Sequence, residues 1–240
     1  MPLRFVNALI AGIMLNGTAL VSAATTVTVT ANNDVFNANG VIFDGVAPQA
    51  INVAGLSSIT FSVSTGATVT VDGGSHFVDA DGIGSPTGEV NSGGASISGI
   101  SLPSAGSITG VFEGSTISMT TPAALNFTMG GTSFTSLSPL LQQSFFIGDG
   151  RTGDATGATQ TFYVPAGATT LYLGLVDGCN PSGSSPGCYS DNSGSFTVTA
   201  TGNTPVVGGV PEPASWALML TGFGFVGYAS RRRVAAQVAA

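Results

Sequence analysis

The apolar positions of this chain recur mostly at every second residue. Thr25-Thr26-Val27-Thr28-Val29-Thr30 alternates at period two, as do Ile59-Thr60-Phe61-Ser62-Val63, Ala67-Thr68-Val69-Thr70-Val71 and Phe196-Thr197-Val198-Thr199. Successive side chains of an extended strand point to opposite faces, so this pattern predicts half-buried strands, and Thr and Val suit a pleated surface. Leu171-Tyr172-Leu173-Gly174-Leu175-Val176 reads as a buried strand, and Phe145-Phe146-Ile147 and Phe162-Tyr163-Val164 as shorter ones. Clusters of Gly, Asn, Asp, Ser and Pro separate them. Many short strands with turn signals between them predict an all-β fold, an antiparallel β-sandwich or jelly roll. Helical turns are expected only at Ala123-Ala124-Leu125 and from Ser136 to Gln143, kept short by Pro122 and Pro139. The Gly/Ser-rich stretch from Asp79 to Gly106 reads as a long loop, and no clean internal repeat is visible.

Both ends depart from this pattern. Arg4 followed by a mostly apolar run from Phe5 to Val21, and then Val21-Ser22-Ala23, predicts a signal helix over residues 1–23 with cleavage after Ala23. Asn7, Asn16, Gly17 and Thr18 break that run too often for a spanning helix. The domain proper is expected at 24–203, followed by a linker at 204–210. Then come Pro211-Glu212-Pro213, Ala214-Ser215-Trp216-Ala217, an uncharged stretch over 214–230, and Arg231-Arg232-Arg233. Trp216 suits a membrane interface and the arginine triplet a cytoplasmic stop, so a short transmembrane helix is expected there.

This three-part tail, residues 211–234, resembles the PEP-CTERM sorting signal of Gram-negative bacteria, in the variant with Trp-Ala after Pro-Glu-Pro. The resemblance implies recognition of Pro211, Glu212 and Pro213 by exosortase, a processing enzyme of the membrane. It implies a transient stage in the inner membrane and then a place at the cell surface or in the extracellular matrix. It also implies an association with exopolysaccharide and biofilm.

Composition narrows the chemistry. Only 7% of residues are charged, against roughly 25% in an ordinary soluble domain. There is no lysine, and four of the five arginines sit at the two ends. Residues 24–209 hold eleven carboxylates and one arginine, Arg151, so no basic groove for a nucleic acid exists. One histidine, His76, and two cysteines exclude a multi-ligand His/Cys metal centre. In an oxidising compartment Cys179 and Cys188 are expected to pair. Closing so short a loop stabilises by about 2–3 kcal/mol in the chain-entropy view.

The constellation with chemistry lies around that loop. Asp177 ends the strand Leu171–Val176, and Asp191 and Asn192 precede the strand that contains Phe196. If the two strands are hairpin partners, the three side chains converge at one rim, and hard oxygen ligands there suit Ca²⁺. The carbonyls around Gly187 and Cys188 would complete the set.

Val176-Asp177-Gly178 and Tyr189-Ser190-Asp191-Asn192-Ser193-Gly194-Ser195-Phe196-Thr197-Val198 resemble the C-terminal part of the PA-IL family of galactose-binding lectins. Phe146-Ile147-Gly148-Asp149-Gly150 and Phe162-Tyr163-Val164-Pro165-Ala166 follow in that family's order. The likeness covers residues 144–200. It implies a galactose-binding β-sandwich in which Asp177, the Cys188 carbonyl, Asp191 and Asn192 hold Ca²⁺. The partner implied is a galactose-containing glycan or exopolysaccharide bridged to the metal. A further carbonyl is expected from the loop Phe77–Asp81, near His76. The loop between Asp177 and Asp191 is longer here than in the family.

An enzyme is not expected. No Gly-x-Ser-x-Gly elbow occurs, and although Asp79 with Asp81 or Glu89 with Glu113 could form a carboxylate pair for glycoside hydrolysis, carboxylates are common on loops. The competing reading is a structural or adhesive matrix protein that binds neither sugar nor metal. Ice binding needs a regular repeat that the chain lacks.

Overall fold

The computed structural model describes residues 22–42, 44–85, 90–94, 96–153, 155–178, 188–204 and 218–223. The chain divides into two compact units, one of them the body Val21–Pro205. In the body lie β1 (Ser22–Thr30), β2 (Gln49–Asn52), β3 (Ser58–Val63), β4 (Val69–Thr70), β5 (Val90–Gly94), β6 (Ile97–Leu102) and β7 (Ile108–Gly114). Then follow β8 (Leu125–Asn126), β9 (Ser136–Leu137), β10 (Ser144–Phe146), β11 (Thr161–Tyr163), β12 (Ala168–Leu175) and β13 (Ser193–Asn203). Among the described residues of the body, helix is confined to single turns at Val35–Asn39, Phe127–Gly130 and Tyr189–Asp191.

The strands form three open sheets. One runs β1-β13-β3-β11-β9 with β4 added to β13, one runs β10-β7-β12-β2, and a smaller one runs β5-β6-β8. Phenylalanines join the two large sheets. Phe61 of β3 and Phe162 of β11 meet edge to face at 5.2 Å, Phe162 lies 5.5 Å from Phe145 of β10, and Phe145 stacks on Phe112 of β7 at 5.1 Å. All four rings are buried, which is the packing a layered all-β core requires.

Alternation fixes the register of the larger sheet. Val27, Val198 and Val63 lie side by side on its inner face, and so do Thr25, Ala200 and Phe61. A one-residue slip would turn every one of these outward. Its outer face aligns Thr26, Thr199 and Ser62 in one row, and Thr201 with Thr60 in the next. The Thr26 and Thr199 hydroxyls bond at 3.0 Å. No acidic or basic residue occurs in β1, β3 or β13, so this face is an uncharged field of hydroxyls.

The four-stranded sheet is covered on its other side by the turn Val35–Asn39. Gly174 of β12 makes this approach feasible: a Cβ there would sit 2.6 Å from the Asn33 carbonyl oxygen and 2.7 Å from the Val35 nitrogen. Val35 and Phe36 are fully buried as a result.

Several expectations are corrected. Leu171–Val176 and the strand containing Phe196 are not hairpin partners, because β12 pairs with β7 and β2 while β13 pairs with β1, β3 and β4. The stretch 79–106 is not one long loop. It contains β5 and β6, whose antiparallel pairing buries Ile97, Ile100 and Leu102. The alternating run 67–71 yields only the two residues of β4. Neither expected helical turn forms where proline was to bound it. The turn falls at Phe127–Gly130, where Asn126 Oδ1 accepts the Met129 N–H at 3.1 Å, a side-chain cap that proline spacing does not disclose.

β1 begins at Ser22, so the expected cleavage point after Ala23 falls within a strand, with Ala23 opposite Gly202. The rest of the leader, Glu89, Cys179 and its expected pairing with Cys188, and the sorting residues Pro211, Glu212, Pro213, Trp216, Arg231, Arg232 and Arg233 lie outside the described residues. Of the expected span 214–230, residues 218–223 are described and are helical. Among the described residues no helix is long and apolar enough to cross a membrane.

Candidate functional site

Three segments distant in sequence meet where β12 ends. The first follows β1, where the Asn33 carbonyl accepts the Leu175 N–H at 2.7 Å and Asp34 caps the next turn by accepting the Phe36 N–H at 2.9 Å. The second is Asp177-Gly178, in which Asp177 Oδ1 accepts the Gly178 N–H at 2.7 Å. The third is the turn Tyr189–Asp191, entered through Cys188 in the left-handed conformation, φ 68°.

Tyr189 ties the three together. Its ring is fully buried, and its hydroxyl accepts the Asp177 N–H at 3.1 Å. The hydroxyl proton is shared between Asp34 Oδ1 at 3.2 Å and the Leu175 carbonyl at 3.1 Å. The Tyr189 backbone is held as well, its carbonyl by Asn32 Nδ2 at 2.8 Å and its N–H by Asp44 Oδ2 at 3.3 Å. Asn192 follows, donating its amide to the Ala31 carbonyl at 3.1 Å.

The polar groups here are more numerous than their partners. Asp34 and Asp177 are 0% exposed and Asn192 only 7%, yet Asp34 Oδ2, Asp177 Oδ2 and Asn192 Oδ1 have no hydrogen-bond partner. A buried carboxylate in this condition is costly unless a proton or a cation neutralises it. Burial accordingly pushes the Asp177 carboxyl up to about 7. The Asn192 amide and the Gly178 N–H oppose the rise, and the charges of Asp191 and Asp44 add to it. Asp34 rises to about 6, again chiefly by burial, against the Phe36 N–H and the Tyr189 hydroxyl.

The structure thus brings Asp177 and Asn192 together, with Asp191 near enough for its charge to act on Asp177. They converge across two sheets, not along one hairpin. Segment 31–46 reaches them through Ala31, Asn32, Asp34 and Asp44, and a Cβ at Gly73 would stand 3.9 Å from Asp191 Oδ2. Val78, in the expected loop Phe77–Asp81, pairs with Val69, and exposed His76 is engaged by Asp72, whose carboxyl that contact lowers. Asp34, Asp44 and Tyr189 were not among the sequence candidates. The one local sign was the polar run Asn32-Asn33-Asp34 directly after an alternating strand.

The donors are all oxygens and several lack partners, so their chemistry fits a hard cation. No three His, Cys, Asp or Glu side chains among the described residues lie close enough to hold one ion, so amide and carbonyl oxygens would make up the shell.

A second acidic group lines a cavity of about 370 Å³ beside the end of β3, together with Ser62, Ser64, Thr68 and Arg151. Its acids brace loops. Asp79 Oδ1 accepts the N–H groups of Asp81 and Ile83 at 3.0 and 2.8 Å, and Asp81 Oδ1 accepts the Asp149 N–H at 3.0 Å. Glu113, on β7, is buried with both carboxylate oxygens unpartnered, and burial raises it to about 7.

No curated protein and no solved structure matches the chain. One family does match in part: the PEP-CTERM protein-sorting motif aligns with residues 209–233. That match supports export of the chain and its sorting by exosortase to the cell surface of a Gram-negative bacterium.

Proposed function

We propose that the body of this exported chain is a calcium-dependent carbohydrate-binding module, displayed at the cell surface or in the extracellular matrix after exosortase releases it from the inner membrane. The observation that supports it is the pair Asp177 Oδ2 and Asn192 Oδ1, buried side-chain oxygens without partners on segments that enter from opposite sheets. Calcium takes about six to eight oxygens and accepts amides and carbonyls among them. Asp177 and Asn192 would supply two, with Asp191 and the Cys188 carbonyl beside them. The ligand class, a galactose-containing glycan such as an exopolysaccharide, rests on the resemblance of residues 144–200. A disulfide between Cys179 and Cys188 would hold the intervening loop. No catalytic role is assigned.

The test is thermal unfolding of the chain with calcium and with chelator. A site of micromolar affinity at millimolar calcium adds about 4 kcal/mol, read as a rise of several degrees. The rise should vanish in Asp177→Asn. An equal melting temperature with and without calcium would overturn the metal site, and with it the lectin reading.

The second reading, a structural or adhesive matrix protein without sugar or metal, is favoured by the uncharged hydroxyl face of β1, β13 and β3. Retention on a galactose matrix, reversed by chelator, separates the two.

A further inference from the structure

Among the described residues, β1 is the outermost strand of its sheet and one of its edges pairs with no strand. The Ala31 N–H bonds to the Gly194 carbonyl at 3.1 Å just past the strand, which sets the phase of the ladder. In an antiparallel pair the bonding residues alternate, so Val29, Val27 and Thr25 turn their backbone groups toward β13, while Thr28, Thr26 and Ala24 turn theirs away. At Thr30 the outward amide is taken by Asn33 Oδ1 at 2.7 Å, and the Thr30 carbonyl accepts the Asn33 N–H at 2.9 Å. Ala24, Thr26 and Thr28 are exposed, and no described residue caps them in this way.

Edge strands are ordinarily protected by charge, proline, a bulge or brevity. β1 has none of these. It is nine residues long, its register with β13 is unbroken from Ser22 to Thr30, and it contains no Pro, Asp, Glu, Lys or Arg.

We propose that two copies of this chain pair through β1, antiparallel about a two-fold axis at Thr26. The outward groups at 24, 26 and 28 are symmetric about that residue. Thr26 then bonds to the partner's Thr26, and Ala24 to the partner's Thr28. This is the self-complementarity that a two-fold contact demands. The inner face agrees. The same register sets the partner's Val27 opposite Thr25, both of them retained after the cleavage expected at Ala23. Ala23 and Thr25 line a cleft of about 320 Å³ with Ile51, Leu56, Ile59 and Ala200. Val27 is only half-buried within its own copy, so the pairing brings an apolar side chain to an apolar gap. On the outer face the hydroxyl field continues across the joint. The formal charge of −7 per chain therefore raises no local repulsion there. The opposite edge of the sheet is β9, two residues long, so the assembly closes at two copies.

Light scattering on the full chain in mild detergent, across a concentration series, tests this. The chain should be dimeric, and Thr26→Pro, which removes an outward N–H that β13 does not use, should be monomeric. T26K, which sets two ammonium groups against each other at the axis, serves if the proline variant does not fold. It should raise the dimer dissociation constant at least tenfold. T60K, on the same face but two strands inward, should remain dimeric. A monomeric parent chain, a dimer that survives both changes at Thr26, or dissociation in T60K would each overturn the proposal.

Discussion

The Tyr189 hydroxyl oxygen stands 3.2 Å from Asp34 Oδ1, joining residues 155 apart in the chain, and 3.1 Å from the Asp177 nitrogen. One phenol thus holds two segments that each carry a buried acid. Burial between those acids keeps its proton on, raising its pKa well above the usual tyrosine range. Tyr189→Phe preserves the ring and strands the Asp177 N–H in a buried site. A buried donor left unmet costs about 1–3 kcal/mol. Urea unfolding should show a lower midpoint at an unchanged slope.

Stability should fall as pH rises from about 4 to 7. Asp34, Asp177 and Glu113 have folded pKa values of about 6, 7 and 7, all above their ordinary ones. Between those limits the native state binds more protons than the unfolded chain, so its advantage is full at low pH and is lost as each group ionises. Glu113 isolates the effect, because it lies away from the acids around Tyr189. Glu113→Gln should leave the melting temperature unchanged at pH 4 and raise it at pH 8, where the parent carries a buried charge costing about 3 kcal/mol. Equal shifts at both pH values would point to packing instead.

Gly174→Ala should be among the most damaging single-methyl additions. The new Cβ would meet the Asn33 carbonyl and the Val35 backbone, which are backbone atoms and cannot rotate away. The turn Val35–Asn39 must then lift off β12, exposing Phe36 and breaking the Asn33–Leu175 bond. A loss of about 1–3 kcal/mol is expected, against little change for Gly130→Ala, where the backbone is helical and a Cβ would meet nothing within 4 Å.

Period-two alternation located β1, β3 and β13, because threonine faces water and valine or phenylalanine faces the core along each of them. It did not locate β6 or β7. Their apolar positions, Ile97, Ile100, Leu102, Val111 and Phe112, are diluted by glycine and serine, and β7 is covered on both faces, which erases the alternation. The site divides in the same way. Asp177, Asp191 and Asn192 carry a local signature of strand end and turn. Asp34, Asp44 and Tyr189 become its neighbours only because Gly174 admits the segment after β1, and that closeness is tertiary. The hairpin expectation failed because adjacency in sequence was taken for pairing, whereas the connection after Asp177 crosses from one sheet to the other.

Changes in the tail should separate sorting from folding. Glu212→Ala lies within the matched motif and outside the body. In a host with exosortase, an immunoblot should show the chain accumulating at full length in the membrane fraction, while the body unfolds at the parent temperature. Release at the parent rate would remove Glu212 from the recognised motif.

The first and last strands of the body lie against each other, with Thr26 bonded to a residue 173 positions later. A polypeptide threaded through a membrane from its N-terminus delivers β1 long before β13. Until the final strand emerges, β1 has nothing to close against, and the inner face of Val27 and Val29 stays uncovered. Closure of this sheet therefore waits on the last strand of the body, because β1 pairs with Ser193–Asn203 and with no other described strand.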